Sequence, residues 1–205
     1  MGAVKLTKND LKIQKDQLKQ FERFLPTLQL KKQQLQTVIM KAESELEELE
    51  KKYAAMVDGL DDWVAVFAEN TALPDGKRIE DLIIPDKVVC ERENIAGVSV
   101  PVFKELTFRE IVYDVADYPL WADEAIFRMR EIAGCDALLK TMRNEVELLN
   151  AELRTTSQRV NLFEKIKIPE AKENIRKIEI YLGDQQTFAV IRGKIAKKKR
   201  QGETS

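Results

Sequence analysis

The side chains that could carry out chemistry are few in this chain, and their spacing does not bring them together. The 205 residues include no histidine, which excludes histidine general bases and histidine metal ligands. Cys90 and Cys135 lack the spacing of a metal-binding pair. The glutamates between Glu43 and Glu50 are distributed around a helical surface, so they do not converge on a pocket. The eight glycines form no phosphate-binding loop. These residues therefore provide no candidate catalytic site, cofactor site or metal site.

Charge and hydropathy indicate a protein that works in water. The 34 basic and 35 acidic side chains nearly cancel, whereas a nucleic-acid-binding protein is usually clearly basic. The basic cluster at residues 197–200 is either a solvated tail or a contact for acidic surfaces of a partner. No apolar run approaches the roughly twenty residues that cross a bilayer, and the N-terminus lacks the apolar core of a secretion signal. Two cysteines make no disulfide framework, so a cytoplasmic location without direct membrane insertion is expected.

An apolar seven-residue repeat dominates the first seventy residues and predicts one long helix. The series that starts at Val4 and the series three residues later are apolar at sixteen of twenty positions, where the 44% composition would supply about nine. Such a repeat predicts a helix from about Thr7 to Ala72, capped by Thr7 or Asn9 and on the order of 100 Å long, that packs along a partner helix. The seam residues are Leu18, Leu25, Leu28, Leu35, Ile39, Leu46, Leu49, Tyr53 and Met56. Gln14, Lys32 and Asn70 interrupt the seam and are interpreted as register-setting or snorkelling side chains.

A second seam begins after Gly134. Its members include Val146, Leu149, Leu153, Val160 and Phe163, and then Ile175 and Ile178. Near Pro169 the register slips by one residue before the seam resumes toward Gln185 and Ala189. We predict that the two seams zip together antiparallel, with paired residue numbers that add to roughly 193–195. Pro26 would then lie level with Pro169, and both prolines would kink the coiled coil at the same height.

The middle of the chain breaks the repeat. Short β-prone runs at residues 88–92 and 98–102 flank a segment that contains Asn94 and Gly97, which predicts a β-hairpin near residues 87–103. The expected fold class is all-α, a long antiparallel two-helix coiled coil with a small central β-hairpin domain at one end and both termini at the other. The expected domains are an N-terminal helix (1–72), a central insert (73–117), C-terminal helices (118–198) and a flexible basic and polar tail (199–205).

Several segments resemble the D subunit of the V/A-type rotary ATPases, in the same order and over essentially the whole chain. The opening segment Leu6–Leu11 and the segment Leu30–Leu35 look like the family's N-terminal helix. Glu93–Pro101 looks like its central hairpin. Arg159-Val160-Asn161, followed by Ile168-Pro169, is similar to its C-terminal signature. Leu25-Pro26 departs from the family pattern, because many members carry Gly-His there.

The resemblance implies a central rotor shaft that couples ATP hydrolysis or synthesis to ion translocation. It also implies that the subunit is non-catalytic and holds no nucleotide or other cofactor. The implied partners are the alternating catalytic and non-catalytic nucleotide-binding subunits, the small F subunit of the stalk, and the socket subunit that joins the shaft to the membrane ring. The hairpin would cap the coil and, as the resemblance implies, regulate turnover. The candidate partner-binding residues are Arg159, Asn161, Glu93, Asn94, Lys197 and Lys198.

Two other functions fit parts of the pattern. A prefoldin-like chaperone also joins antiparallel helices through β-hairpins, but this seam stays apolar almost to its ends and leaves no sticky tip for clients. A scaffold or nucleic-acid coiled coil would use the basic tail, and the near-zero net charge weighs against it.

Overall fold

The structure, a computed structural model, describes residues 5–67, 79–114, 118–119 and 121–202. In chain order the elements are α1 (Lys8–Phe67), a 3₁₀ turn (Ile79–Leu82), β1 (Pro85–Ile95), β2 (Val98–Phe108), α2 (Ala122–Leu162), a π-helical segment (Phe163–Lys167) and α3 (Ile168–Gly202). The predicted fold class, long helices with one small β-hairpin, is confirmed. The seam positions Val4 and Asn70 and the predicted helix end at about Ala72 lie outside the described residues.

The start of α1 follows from one capping side chain. The backbone N–H of Asp10 donates to Thr7 Oγ1 at 3.2 Å, and Thr7 in turn donates its hydroxyl to the Asp10 carboxylate. The first backbone bond of the helix joins the N–H of Leu11 to the carbonyl of Thr7 at 3.0 Å. Thr7 is therefore the N-cap, and Asn9 lies inside the first turn. From there α1 continues through Pro26.

The hairpin is longer than the sequence predicts. β1 and β2 pair antiparallel from Ile95 opposite Val98 to Pro85 opposite Phe108. The two turn residues both have positive φ, 52° at Ala96 and 81° at Gly97. This turn twists in the same sense as the strands, and glycine adopts its second position without steric cost.

The chain divides into two compact units. The terminal unit consists of residues up to 32 together with residues from 155 onward. The central unit consists of residues 33–154 and contains the hairpin.

Within the terminal unit, α1 and α3 run antiparallel. Lys15 Nζ lies 2.6 Å from a carboxylate oxygen of Glu179, and Lys172 Nζ lies 3.2 Å from one of Glu22. The residue numbers of these two exposed ion pairs add to 194, inside the predicted range. The contacts in the interior of the same unit, Gln14 with Asn174 and Phe21 with Phe163, add to 188 and 184, so the packed interior is shifted from the predicted register. The sequence predicts that α3 ends near residue 198, and in the structure it continues to Gly202.

Within the central unit, α1 and α2 also run antiparallel. Arg143 Nη2 lies 2.8 Å from a carboxylate oxygen of Glu50, whereas Ile39, earlier in α1, packs with Leu149, later in α2. The hairpin is packed against these helices. Val100 of β2 is fully buried against Leu35, Ile39 and Leu149, and residues on both sides of the turn pack around it. The sequence places the hairpin at the end of the coil, whereas the structure makes its tip part of the core that the two helices share.

Candidate functional site

The predicted seam of α1 faces inward along its described length. Leu35, Ile39 and Ala42 are buried. The half-buried seam residues of α1 are Leu11, Gln14, Leu18, Phe21, Leu25, Leu28, Lys32, Leu46, Leu49, Tyr53, Met56 and Leu60. Most apolar residues of α1 off this seam are exposed, as at Phe24 and Met40, which are 55% and 66% exposed, whereas Val38 is half-buried against the core. Apolar character alone therefore does not predict which residues of α1 face inward, whereas the seven-residue spacing of the apolar residues does.

The seam of α2 and α3 alternates between buried and half-buried positions, and it ends before α3 does. Its buried residues are Leu139, Leu149, Thr156, Val160, Ala171 and Ile178. Its half-buried residues are Met142, Val146, Leu153, Phe163, Ile168, Ile175 and Leu182. Gln185 and Ala189, which the repeat also places in the seam, are exposed. The reason is geometric, because the antiparallel register would pair them with residues at or before the start of α1.

A polar layer interrupts the terminal unit. Asn174 Nδ2 lies 3.5 Å from Gln14 Oε1 in the partly buried interior. Two aromatic rings pack on one side of this layer, with the centroids of Phe21 and Phe163 5.3 Å apart. An amide pair in an apolar seam favours one register over its neighbours, because a slipped register would leave both amides buried without partners.

Aromatic residues gather at the base of the hairpin. The guanidinium of Arg130 lies 5.3 Å from the centre of the Phe108 ring, close enough for a cation–π interaction. Tyr113 donates its hydroxyl to Asp123, and its ring stands edge-on to that of Tyr118, with centroids 5.3 Å apart. The hydrogen bond to Asp123 is the main reason that the pKa of Tyr113 lies above its usual value. These contacts link the start of α2 to the strands.

The charge state of one carboxylate is affected by two others where the helices meet the hairpin. Burial raises the pKa of the Glu145 carboxyl on α2, and the charges of Glu45 on α1 and Glu93 on β1 raise it further. Burial likewise raises the pKa of the Cys135 thiol. Within the described part of the chain, no group of three histidine, cysteine, aspartate or glutamate side chains is arranged to hold a metal ion.

The predicted partner-binding residues all lie on exposed surface. Arg159 and Asn161 flank the buried Val160 in the terminal unit. Lys197 and Lys198 are exposed near the end of α3 in the same unit. The other two candidates, Glu93 and Asn94, are exposed in β1, close to the hairpin turn of the central unit.

The last part of α3 has an exposed surface that the heptad pattern does not predict. Every side chain from Gly183 to Lys199 is exposed. Phe188, Ile191 and Ile195 are 61%, 46% and 54% exposed, and their spacing places them on one face of the helix. The sequence does contain a pattern that indicates this surface, because these three apolar residues each come one position before a residue that continues the seam.

None of the described helices contains an apolar stretch of the length needed to span a lipid bilayer. Heptad-paired helices with a docked hairpin and an exposed helical end define an all-α coiled-coil protein.

Comparison with known proteins identifies the family. A family model for the D subunit of ATP synthase matches residues 10–198. The V-type ATP synthase D subunit of Borreliella burgdorferi is 46% identical over 197 residues, covering 96% of this chain and 95% of that protein. The D subunits of the V-type ATP synthases of Chlamydia abortus and Chlamydia pneumoniae are 38% identical over 204 residues and 34% identical over 197 residues, covering 98% and 96% of this chain and 95% and 92% of those proteins. The chain belongs to the family of ATP synthase D subunits and is a component of a V-type ATPase complex.

Proposed function

We propose that this chain is the non-catalytic central shaft of a V-type ATP synthase, turning inside the head to couple ATP hydrolysis or synthesis to ion translocation. The observation that carries the proposal is the exposed end of α3. The stretch from Gly183 to Lys199 forms helix without a buried side chain. Because isolated helices of this length are marginal in water, a stripe of exposed Phe188, Ile191 and Ile195 calls for a surrounding partner.

The chemistry of this end fits the inside of a ring of nucleotide-binding subunits. The apolar stripe would pack against apolar loops of the catalytic and non-catalytic subunits. Lys197 and Lys198 would face acidic surfaces of the same subunits. The exposed Arg159 and Asn161 are the proposed contacts for the small F subunit of the stalk. The hairpin end would dock on the socket subunit above the membrane ring, so that the protein is cytoplasmic and reaches the membrane through the complex.

The test is assembly with the head subunits. Replacing Phe188 and Ile191 with Asp removes two apolar side chains, each worth about 1.5–3 kcal/mol when buried, so we expect at least about ten-fold weaker binding to the head. The matched control is Gln186→Asp with Gly193→Asp, which adds two charges on the opposite side of the helix. A Cβ atom added at Gly193 meets no other atom within 4 Å, and the position is exposed.

Both variants should keep the circular dichroism of the parent, because all four positions are exposed. Equal assembly and equal ATP-driven ion transport for the two variants would contradict the proposal. A chaperone function predicts a different result, namely that the isolated chain suppresses aggregation of unfolded clients.

A further inference from the structure

The π-helical segment Phe163–Lys167 marks a point where the helix contains one residue more than its packing requires. Before it, Thr156, Val160 and Phe163 follow the spacing of a coiled-coil seam. After it, Ile168 and Ala171 start a new series. Between Phe163 and Ile168 the step is five residues, where an unbroken heptad would have four.

The wide turn accommodates this extra residue. The backbone N–H of Ile168 donates to the carbonyl of Phe163, five residues back, as in a π-turn. In an uninterrupted α-helix, one extra residue would rotate everything downstream by about 100°. The π-turn absorbs that rotation, so that Val160 upstream and Ala171 and Ile178 downstream are all buried, at 5%, 3% and 0% exposure.

The segment is also weakly held. None of its five residues is buried. Pro169 follows immediately after Ile168 and has no N–H, so the helix lacks one backbone donor at this point. The ring contact between Phe163 and Phe21 of α1 fixes the upstream side, while Ile166 is 52% exposed.

A wide turn, a surplus residue, a missing donor and a lack of burial coincide in this short stretch. From these observations we infer that Phe163–Pro169 is a torsional joint, at which α3 twists relative to the helix before it with less resistance than elsewhere in the terminal unit. When the π-turn opens slightly, the extra residue is shared with neighbouring turns of the helix. The joint closes again when the downstream seam residues return to their buried positions. Its use as a compliant element in a rotating shaft rests on the proposed function.

The test removes the surplus residue. Deletion of Ile166 with Pro169→Ala makes the seam a continuous heptad and restores the missing donor. In the isolated full-length chain, we expect amide hydrogen exchange of residues 163–170 to slow at least ten-fold. Pro169→Ala alone should stay within about three-fold of the parent, because the surplus residue remains.

A second deletion provides the matched control. Deletion of the exposed Lys177 keeps the π-turn but moves the buried Ile178 out of the seam, so it should lower the melting temperature, whereas deletion of Ile166 with Pro169→Ala should not. Unchanged exchange in the Ile166 deletion would overturn the joint. Equal destabilisation by the two deletions, or failure of the Ile166 deletion to fold, would overturn it as well.

The assembled complex tests the mechanical role. With a probe on the hairpin and the head immobilised, the resting angular fluctuation of the probe should be at least two-fold narrower for the Ile166 deletion. Slower exchange together with an unchanged angular width would overturn the mechanical role. Failure of the parent shaft to rotate would instead reject the proposed function and leave the exchange result to decide the joint.

Discussion

Leu149 is one of the fully buried side chains in the core of the central unit. It packs with Leu35 and Ile39 of α1 and with Val100 of the hairpin. Leu149→Ala leaves a cavity between three elements, and such a truncation costs about 2–5 kcal/mol of unfolding free energy. The adjacent Leu148 is 38% exposed and lies outside the core, so Leu148→Ala should cost less than about 1 kcal/mol.

Urea denaturation followed by tryptophan fluorescence reports on the relevant unit. The chain has two tryptophans, Trp63 and Trp121, and both belong to the central unit. With an m-value of about 2 kcal/mol per molar urea, Leu149→Ala should lower the midpoint by about 1–2.5 M, and Leu148→Ala by less than about 0.5 M. Equal shifts for the two variants would refute the assigned register of α2.

A double-mutant cycle with Val100→Ala extends this test to the hairpin. If the hairpin tip shares the core with Leu149, the two substitutions should couple by about 0.5–3 kcal/mol. Additive effects would show that the hairpin and α2 do not share a core in solution.

Two further predictions concern polar groups in the packed regions. Because the pKa of Glu145 is raised in the folded state, its contribution to stability is present in full below about pH 4.5 and is lost as the pH rises through the folded value. Glu145→Gln should therefore raise the urea midpoint at pH 7 but not at pH 4, and the same gain at both values would contradict this account. Replacing both Gln14 and Asn174 with Leu should raise the melting temperature of the terminal unit, because two partly buried amides are removed together; a lower melting temperature in circular dichroism would show that the polar pair is net stabilising.

Much of the helical pairing can be predicted because the heptad repeat shows which face of each helix packs against the other helix. Apolar residues at seven-residue spacing must share one helix face, and two such faces must cover each other. The position of the register slip is also evident, since Ile168 stands five residues after Phe163. The sequence does not state how the slip is accommodated, because a loop, a kink and a π-turn all satisfy the same spacing.

The docking of the hairpin cannot be predicted in the same way. Val98, Val100 and Val102 indicate a strand with one apolar face, but alternation does not identify the surface that covers it. The heptad repeats already place Leu35 and Leu149 between the two helices, so neither residue indicates that a hairpin also covers it. The predicted hairpin is also too short. Pro85 and Asp86 of β1 are exposed, and the exposed Lys104 and Glu105 interrupt the apolar alternation of β2 before its half-buried end.

The central claim is that this chain rotates within the head, and single-molecule rotation tests it most directly. Cys90 is exposed on β1 and offers a native attachment point once Cys135 is replaced with Ser. With the head fixed to a surface and a probe on Cys90, addition of ATP should drive continuous rotation in one direction. A probe that stays at a fixed angle while the head hydrolyses ATP at its full rate would contradict the account.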